Sequence, residues 1–149
     1  MKEKNVYLTI LIISIVCVAL SITIQTEKKQ YSSNQESICS AITGSNGCET
    51  VQTSKYASIF GIDNPIFGII GFSLLVIFSS ISMTTSIKPL KYLILTGSII
   101  AGLTAIWFLY LQILVINRYC IFCLMVDILS LILLGIAICL LYNTALKHK

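Results

Sequence analysis

Residues 120–142 read CIFCLMVDILSLILLGIAICLLY, and this apolar stretch decides the fold. An α-helix needs roughly 20 apolar residues to cross a bilayer, so the stretch predicts a membrane-spanning helix. Two of its first residues, Cys120 and Cys123, form a C-x-x-C pair at the mouth of that helix. Cysteines three positions apart share one helical face and can close a disulfide on themselves. The stretch therefore combines a membrane span with a dithiol at its end.

The position of this dithiol favours redox chemistry. The amides and the dipole of the first helical turn stabilise a thiolate more than a thiol. Arg118 adds a positive charge just upstream of the pair. We therefore expect one of the two sulfurs to attack or to leave readily in thiol–disulfide exchange.

The composition indicates an integral membrane protein. Of the 149 residues, 56% are hydrophobic and 11% are charged, and the mean hydropathy is +0.92. A chain of this length has room for one domain, which we place at residues 1–149. The net charge of +4 is modest and no basic stripe is present, so no nucleic-acid partner is expected. His148 is the single histidine, which argues against histidine-based zinc sites and Ser-His-Asp or Cys-His catalysis.

Four apolar runs predict an all-α integral membrane protein, a bundle of four transmembrane helices. The runs lie at about residues 6–24, 66–83, 92–116 and 121–142. The first run is too long for a secretory signal peptide and has no small-residue cleavage site, so we expect it to remain as a span. Residues 25–64 form a polar outer loop. Within this loop, residues 49–60 predict a short amphipathic helix that caps the bundle.

Two further cysteines, Cys39 and Cys48, lie in the polar loop, where we expect water to reach them. Lys and Arg residues are more frequent on the side of the two termini, six against four. Short basic segments stay in the cytoplasm, so both termini are expected there. Both cysteine pairs then lie on the outer face of the plasma membrane, where surroundings are oxidising.

In the order and spacing of these residues, the chain resembles the vitamin K epoxide reductase family, including its prokaryotic disulfide-forming homologues. The resemblance covers most of the chain from Cys39 onward. It rests on the loop pair Cys39 and Cys48, Ser54 six positions after Cys48, the stretch Asn64-Pro-Ile-Phe-Gly68, and the C-x-x-C of Cys120 and Cys123.

The resemblance implies a four-helix bundle that surrounds a quinone of the menaquinone, ubiquinone or vitamin K type. It also implies a relay in which a reduced thioredoxin-like partner attacks the Cys39–Cys48 disulfide at Cys39. Cys48 then attacks Cys120, and Cys123 is released to donate to the quinone. No further domain follows the fourth span, so we expect the thioredoxin-like partner to be a separate protein. Such a relay sustains disulfide formation in exported proteins.

The resemblance also marks two polar residues near the quinone. The family gives the residue that matches Asn64 a hydrogen bond to a quinone carbonyl. The structural alternative for Asn64 is a helix cap before Pro65. Ser54 either steadies the cap or assists thiol chemistry, whereas a serine in a surface helix is often merely solvated.

Asp127 is expected to take part in binding the quinone, because it lies one turn below Cys123 within a span. Burial there favours the neutral carboxyl, which can donate a hydrogen bond and deliver a proton. The alternative is a carboxylate at the membrane interface, paired with Arg118 or Lys55. Gln112, in the third span, is a further candidate for the wall of the quinone cavity.

Two features depart from the mammalian pattern. Eight residues separate Cys39 from Cys48, where the mammalian enzymes have seven. Asp127 stands where those enzymes place a tyrosine near the quinone, which argues against epoxide reduction. A vitamin K quinone or epoxide reductase is nevertheless one alternative function. Another is a non-enzymatic four-span protein with structural disulfides. A zinc site built from the four thiols lacks other ligands, and no metal is expected.

Overall fold

Helices dominate the computed structural model, which describes residues 3–32, 38–39, 47–85 and 88–146. Much of the predicted outer loop and both chain ends, with His148, lie outside the described residues. The helices are α1 (Glu3–Ser32), α2 (Gly47–Thr53), α3 (Asn64–Thr84), α4 (Lys88–Tyr110) and α5 (Ile121–Leu146). Two short strands, β1 (Ser58–Ile59) and β2 (Ile62–Asp63), connect α2 to α3, and a π-helix (Leu111–Ile116) continues α4.

Four of the described helices are long and apolar enough to cross a membrane. Their apolar segments are Lys4–Gln30, Asn64–Thr84, Pro89–Ile116 and Ile121–Tyr142, with mean hydropathies of 2.3 to 2.8. In the most apolar 18 residues of each segment, 17% to 33% of the residues are buried, so most of the apolar side chains are at least partly exposed. Apolar side chains on an outer surface suit lipid rather than water. The predicted all-α bundle of four membrane-spanning helices is confirmed, and the protein is a multi-pass membrane protein.

The four spanning helices close into a ring. α1 packs along α3 and α4 packs along α5, while α1 also contacts α5 and α3 contacts α4. α1 and α3 approach closely at Gly68, where an added Cβ atom would lie 2.8 Å from Ser21 Oγ. A small residue at such a contact lets two membrane helices pack tightly. A buried apolar cluster fills part of the interior, formed by Val6, Tyr7, Ile10, Cys17, Phe72, Leu75, Ile94 and Leu133.

α1 extends beyond the predicted first span. The apolar run ends at residue 24, but the helix continues to Ser32. Residues 25–30 read QTEKKQ, and Gln, Glu and Lys are strong helix formers, so the helix persists after the apolar side chains end. The first part of the predicted loop is therefore helical.

The extension of α1 is tied to the end of β2. Lys28 forms an ion pair with Asp63, and Gln25 Nε2 donates a hydrogen bond to Asp63 Oδ2 at 3.1 Å. The hydrogen bond from Lys28, followed by that from Gln25, holds the pKa of Asp63 below its usual value. These contacts fix the strands against α1.

The cap helix is shorter than the sequence predicts. One amphipathic helix is expected over residues 49–60, but α2 ends at Thr53. β1 and β2 then pair antiparallel across a turn in which Phe60 and Gly61 both have positive φ. Two successive residues with positive φ are typical of a tight hairpin turn, which the spacing of apolar residues does not reveal. The predicted helix is therefore wrong beyond Thr53.

The third spanning helix changes its winding near its end. The six residues Leu111–Ile116 form the π-helix, and Asn117 follows in the left-handed region with φ 53°. The Arg118 amide donates to the Gln112 carbonyl at 3.2 Å, which closes the turn. Single π-turns inside helices are frequently found at functional sites. Here the π-turn directly precedes the C-x-x-C pair.

Candidate active site

A cavity of about 700 Å³ lies between the four spanning helices and the cap, which consists of residues 47–63, that is α2 and the β1–β2 hairpin. Its wall is largely apolar and includes aromatic side chains such as Phe72 and Phe108. Groups that bring polar atoms or sulfur to the wall include Gln52, Ser54, Asn64, Gln112, Cys123 and Asp127. A cavity of this size, with an apolar wall and a few polar groups, is typical of a site for a small organic ligand.

The loop cysteines Cys39 and Cys48 form a disulfide, with their Cα atoms 6.3 Å apart. Their exposed fractions are 0% and 1%. The expectation that water reaches this pair is therefore wrong. Both residues pack with Cys120 in one buried cluster, against which the partly buried Val51 and Phe122 lie. Packing of α2, which carries Cys48, against Cys120 thus buries the loop disulfide.

Glu27 holds the segment that carries Cys39. Its Oε1 accepts a hydrogen bond from the Ile38 amide at 3.1 Å, and its Oε2 accepts one from the Cys39 amide at 3.2 Å. The Glu27 side chain is buried. A carboxylate that accepts two backbone amides holds the residues that donate them, and Ile38 and Cys39 are both helical. The polar end of α1 therefore fixes the position of Cys39.

Cys120 lies directly before α5 and receives hydrogen bonds at its sulfur. The Cys123 thiol donates to Cys120 Sγ at 2.7 Å, and the Cys123 amide donates at 3.4 Å. Gln52 Nε2 donates to the same sulfur at 3.8 Å. These contacts, led by the Cys123 thiol, hold the pKa of Cys120 below its usual value although burial opposes this. The Arg118 side chain is exposed, so hydrogen bonds rather than its expected charge explain the lowered pKa.

The two cysteine pairs meet at the cap. Cys39, Cys48 and Cys120 are buried together, and Cys123 packs against this cluster. Of these four, Cys123 also lies on the cavity wall. Thiol–disulfide exchange requires one sulfur to reach another, so adjoining pairs can pass a disulfide between them. Cys123 is therefore placed between the cysteine cluster and the cavity.

Asn64 is the first residue of α3, but its side chain does not cap the helix. Nδ2 donates to the Tyr56 carbonyl at 2.6 Å. Oδ1 is buried and has no hydrogen-bond partner within the described residues. Asn64 also lies on the cavity wall, so its carboxamide is available to a ligand there. Ser54 also lies on the cavity wall, and its hydroxyl donates a hydrogen bond to the Val51 carbonyl at 2.8 Å.

Asp127 is buried, with 5% of its surface exposed, and it lines the cavity. Gln112 Nε2 donates to Asp127 Oδ2 at 3.0 Å. The alternative pairing with Arg118 or Lys55 is not found in the described part of the chain. Lys55 instead lies over the ring of Tyr56, with Nζ 5.1 Å from the ring centroid. The carboxyl therefore faces the cavity and not an interfacial cation.

The sequence matches the model of the Vitamin K epoxide reductase family over residues 8–138, which is most of the chain. The chain belongs to the vitamin K epoxide reductase family. A comparison with curated proteins gave no significant match. As a member of this family, the protein is a membrane thiol oxidoreductase. Its two cysteine pairs adjoin each other in one cluster, and Cys123 also lines the cavity.

Members of the vitamin K epoxide reductase family generally use quinones, and the cavity fits a group of this kind. The apolar wall suits a quinone ring and its prenyl tail, and the volume is sufficient for a small organic ligand. Asn64 offers a buried oxygen without a partner in the described residues, together with an amide nitrogen that has a second N–H. The residues that would hold the ring are therefore Asn64 and Asp127, beside Cys123.

Gln52 and Glu27 make contacts near the cysteine cluster that the sequence analysis does not predict. Gln52 follows Cys48 by four positions, so both project from one face of α2 toward Cys120. That spacing was the available signal for Gln52. Glu27 lies in the polar end of α1, where nothing in the sequence indicates a partner near Cys39. No cluster of three or more His, Cys, Asp or Glu residues suited to a metal is found among the described residues.

Proposed function

We propose that this protein passes electrons from a separate thioredoxin-like protein to a quinone and so sustains disulfide formation in exported proteins. The observation that carries the proposal is the arrangement of the four sulfurs. Cys39, Cys48 and Cys120 share one buried cluster, and Cys123 packs against it while lining the cavity. Family members generally work with thioredoxin-like partners and quinones, which supports both ends of this route.

The proposed route begins with thiol exchange at the loop pair. A thiolate of the partner attacks Cys39, which forms a mixed disulfide and releases Cys48 as a thiolate. The second thiol of the partner then attacks the partner's first sulfur, which is bonded to Cys39. The partner leaves with its own disulfide closed, and Cys39 is released as a thiolate. The loop pair has gained two electrons. Because Cys39 is buried, the cap must move aside before the partner can reach it.

The second exchange moves these electrons to the helix pair. When Cys120 and Cys123 are joined as a disulfide, the Cys48 thiolate attacks Cys120 and releases Cys123. Cys39 then attacks Cys48, which re-forms the loop disulfide and releases Cys120 as a thiolate. The hydrogen bonds to Cys120 Sγ from Cys123 and Gln52 stabilise that leaving thiolate. Both electrons then reside on the Cys120–Cys123 dithiol.

The last step takes place at the cavity. A bound quinone supplies an acceptor for two electrons and two protons. The Cys123 sulfur lies on the wall from which it can donate, and closure of the Cys120–Cys123 disulfide releases the electron pair. The free N–H of Asn64 orients a carbonyl group, Asp127 holds a proton at its carboxyl, and Ser54 steadies the end of α2 beside the wall. The alternative of a protein with static structural disulfides is less favoured by the arrangement of the sulfurs, because Cys123 packs against the cysteine cluster and also lines the cavity.

The proposed location is the plasma membrane, with both termini in the cytoplasm and the cysteines on the outer face. The distribution of Lys and Arg supports this orientation. Exported proteins acquire disulfides on that side of the membrane, so the relay lies where its product is needed.

Anaerobic quinone reduction tests the proposed function. The purified protein receives a reduced thioredoxin-like protein and a short-chain menaquinone or ubiquinone analogue. Cys123→Ala and Cys39→Ala should both abolish quinone consumption, while a small dithiol that bypasses the loop should restore it in Cys39→Ala only. Cys139→Ala, which removes an exposed free thiol elsewhere on α5, is the matched control and should retain activity. No quinone consumption by the wild type, or full consumption by Cys123→Ala, would contradict the proposal.

A further inference from the structure

Gln112 joins two functional groups through its side chain. Its Oε1 accepts a hydrogen bond from the Cys120 amide at 3.3 Å, and its Nε2 donates to Asp127 Oδ2 at 3.0 Å. The side chain is buried, with 3% of its surface exposed. One carboxamide therefore bridges the residue before α5 and a carboxyl inside the membrane span.

The direction of this carboxamide is fixed by its neighbours. The Cys120 N–H is a donor, so it must face the carboxamide oxygen, and the nitrogen must then face Asp127. The π-turn holds the residue itself in place, because the Arg118 amide donates to the Gln112 carbonyl at 3.2 Å. The backbone and the side chain of Gln112 are thus both anchored at the start of α5.

The bridge determines how Asp127 presents its carboxyl. The structure shows one hydrogen bond to this group within the described residues, at Oδ2, so Oδ1 is left for a proton or a ligand. The titratable groups closest to it along the chain are Cys123, on the same helix, and Cys120, directly before that helix. From α1, Lys28 lies on the same cavity wall but forms an ion pair with Asp63.

We propose that Gln112 is a positioning residue that directs Asp127 as the proton-transfer group between Cys123 and the cavity. This inference rests on the proposed function. In that reaction the Cys120–Cys123 dithiol loses two electrons and two protons as its disulfide closes, and a quinone gains both. Asp127 delivers one proton from Oδ1 to the acceptor and takes the proton of the Cys123 thiol. The carboxyl ends in its starting state. The second proton is the one that Cys120 gives up to water as it becomes a thiolate, and the reduced acceptor takes up one proton from water in its place, so atoms and electrons balance.

Infrared difference spectroscopy of the quinone-free protein tests the positioning role without reference to turnover. The spectrum of reduced minus oxidised protein should contain a carboxyl band that disappears in Asp127→Asn. Gln112→Met keeps the length of the side chain but removes both of its hydrogen bonds, so the band should move to higher frequency. Gln25→Met is the matched control, because it removes a glutamine hydrogen bond to the carboxylate of Asp63 and should leave the Asp127 band unchanged.

Kinetics provide the second measurement. Loss of a well-placed proton donor costs ~10²-fold or more in rate, so a misdirected Asp127 should lower kcat by roughly tenfold in Gln112→Met. The pH profile of kcat should change in the same variant, while KM changes little. Gln112→Glu, which retains an acceptor for the Cys120 amide, should restore folding if Gln112→Met is unstable, and it should still show a shifted band.

The outcomes separate this inference from the proposed function. If the wild type consumes no quinone, the proposed function fails. If the wild type is active but both Gln112 variants retain its band position and pH profile, the positioning role is overturned while the relay stands. A shifted band with an altered pH profile in the Gln112 variants, and neither effect in Gln25→Met, supports the assignment.

Discussion

The reactivity of Cys120 is set by the groups around its sulfur. Burial of this residue favours the neutral thiol, whereas donors from Cys123 and Gln52 favour the thiolate. The hydrogen bonds prevail, so the pKa of Cys120 lies below its usual value. A sulfur with a lowered pKa is a good leaving group, which suits its proposed release from a disulfide with Cys48.

Gln52→Met should move the titration of Cys120 to higher pH. The substitution keeps the volume of the side chain but removes the N–H that favours the thiolate, so more of the thiol persists at a given pH. The measurement is thiolate ultraviolet absorbance against pH in a Cys17→Ser/Cys139→Ser background, which leaves Cys120 and Cys123 as the free thiols of the described chain.

The control for this titration is Gln25→Met in the same background. Gln25 makes a comparable hydrogen bond, but to Asp63 outside the thiol cluster, so its loss should leave the thiol titration unchanged. An unchanged titration in Gln52→Met, or an equal shift in the control, would show that Gln52 does not stabilise the thiolate.

At the level of single residues, sequence spacing predicts candidates but not their partners. The C-x-x-C pattern identifies Cys120 and Cys123 as a dithiol at a helix start, and a carboxyl within an apolar span draws attention to Asp127. The contacts of Gln112 and Gln52 join residues far apart in the chain, at separations of 15 and 68 positions. The four-residue spacing of Cys48 and Gln52 places both on one face of α2, but the sequence carries no signal for the residue that this face contacts.

At the level of elements, two departures from the predicted helices determine where residues of the site lie: the π-helix at the end of the third span and the early end of α2. The apolar pattern predicts a third span ending at residue 116, but it does not reveal the π-helix Leu111–Ile116 that places Gln112 beside Cys120. The hydrogen-bond register of a helix leaves little trace in hydropathy. The end of α2 at Thr53 depends similarly on a hairpin turn with two positive φ angles. Both deviations lie next to the cysteine cluster.

Glu27→Gln should loosen the segment that carries Cys39. Gln offers one acceptor in place of two, so one of the Ile38 and Cys39 amides loses its partner. Loss of one such hydrogen bond costs about 1 kcal/mol. The fraction of molecules in which the segment that carries Cys39 is detached from α1 should then rise roughly fivefold. The rate at which dilute dithiothreitol reduces the Cys39–Cys48 disulfide, followed by thiol labelling, should rise by a similar factor.

Glu49→Gln is the matched control for the loosened segment. Glu49 is an exposed acidic residue in the first turn of α2, one position after Cys48. Its neutralisation changes the net charge by the same amount without removing a contact to Cys39. Equal reduction rates in Glu27→Gln and the wild type, or an equal increase in Glu49→Gln, would contradict the role given to Glu27.

At the level of the whole molecule, hydropathy predicts the bundle and not the closed cap. Long apolar runs have few alternatives to membrane-spanning helices, so the fold class follows from the sequence. The polar composition of residues 25–64 suggests exposure, yet Cys39 and Cys48 are buried by packing between α1, α2 and the start of α5. Burial of a polar segment depends on the surface that it meets. In the proposed relay, access of the partner to Cys39 therefore requires a movement of the cap.

In the proposed relay, Cys48 and Cys120 exchange directly. A Cys39→Ser/Cys123→Ser variant leaves one thiol on each side of the proposed exchange. Under mild diamide oxidation it should form a Cys48–Cys120 disulfide, identified by mass spectrometry of peptides under non-reducing conditions. The control is Cys39→Ser/Cys120→Ser, which leaves Cys48 and Cys123 and should cross-link far less. A high yield of the Cys48–Cys120 disulfide supports the relay, whereas no cross-link, or an equal yield in the control, would contradict it.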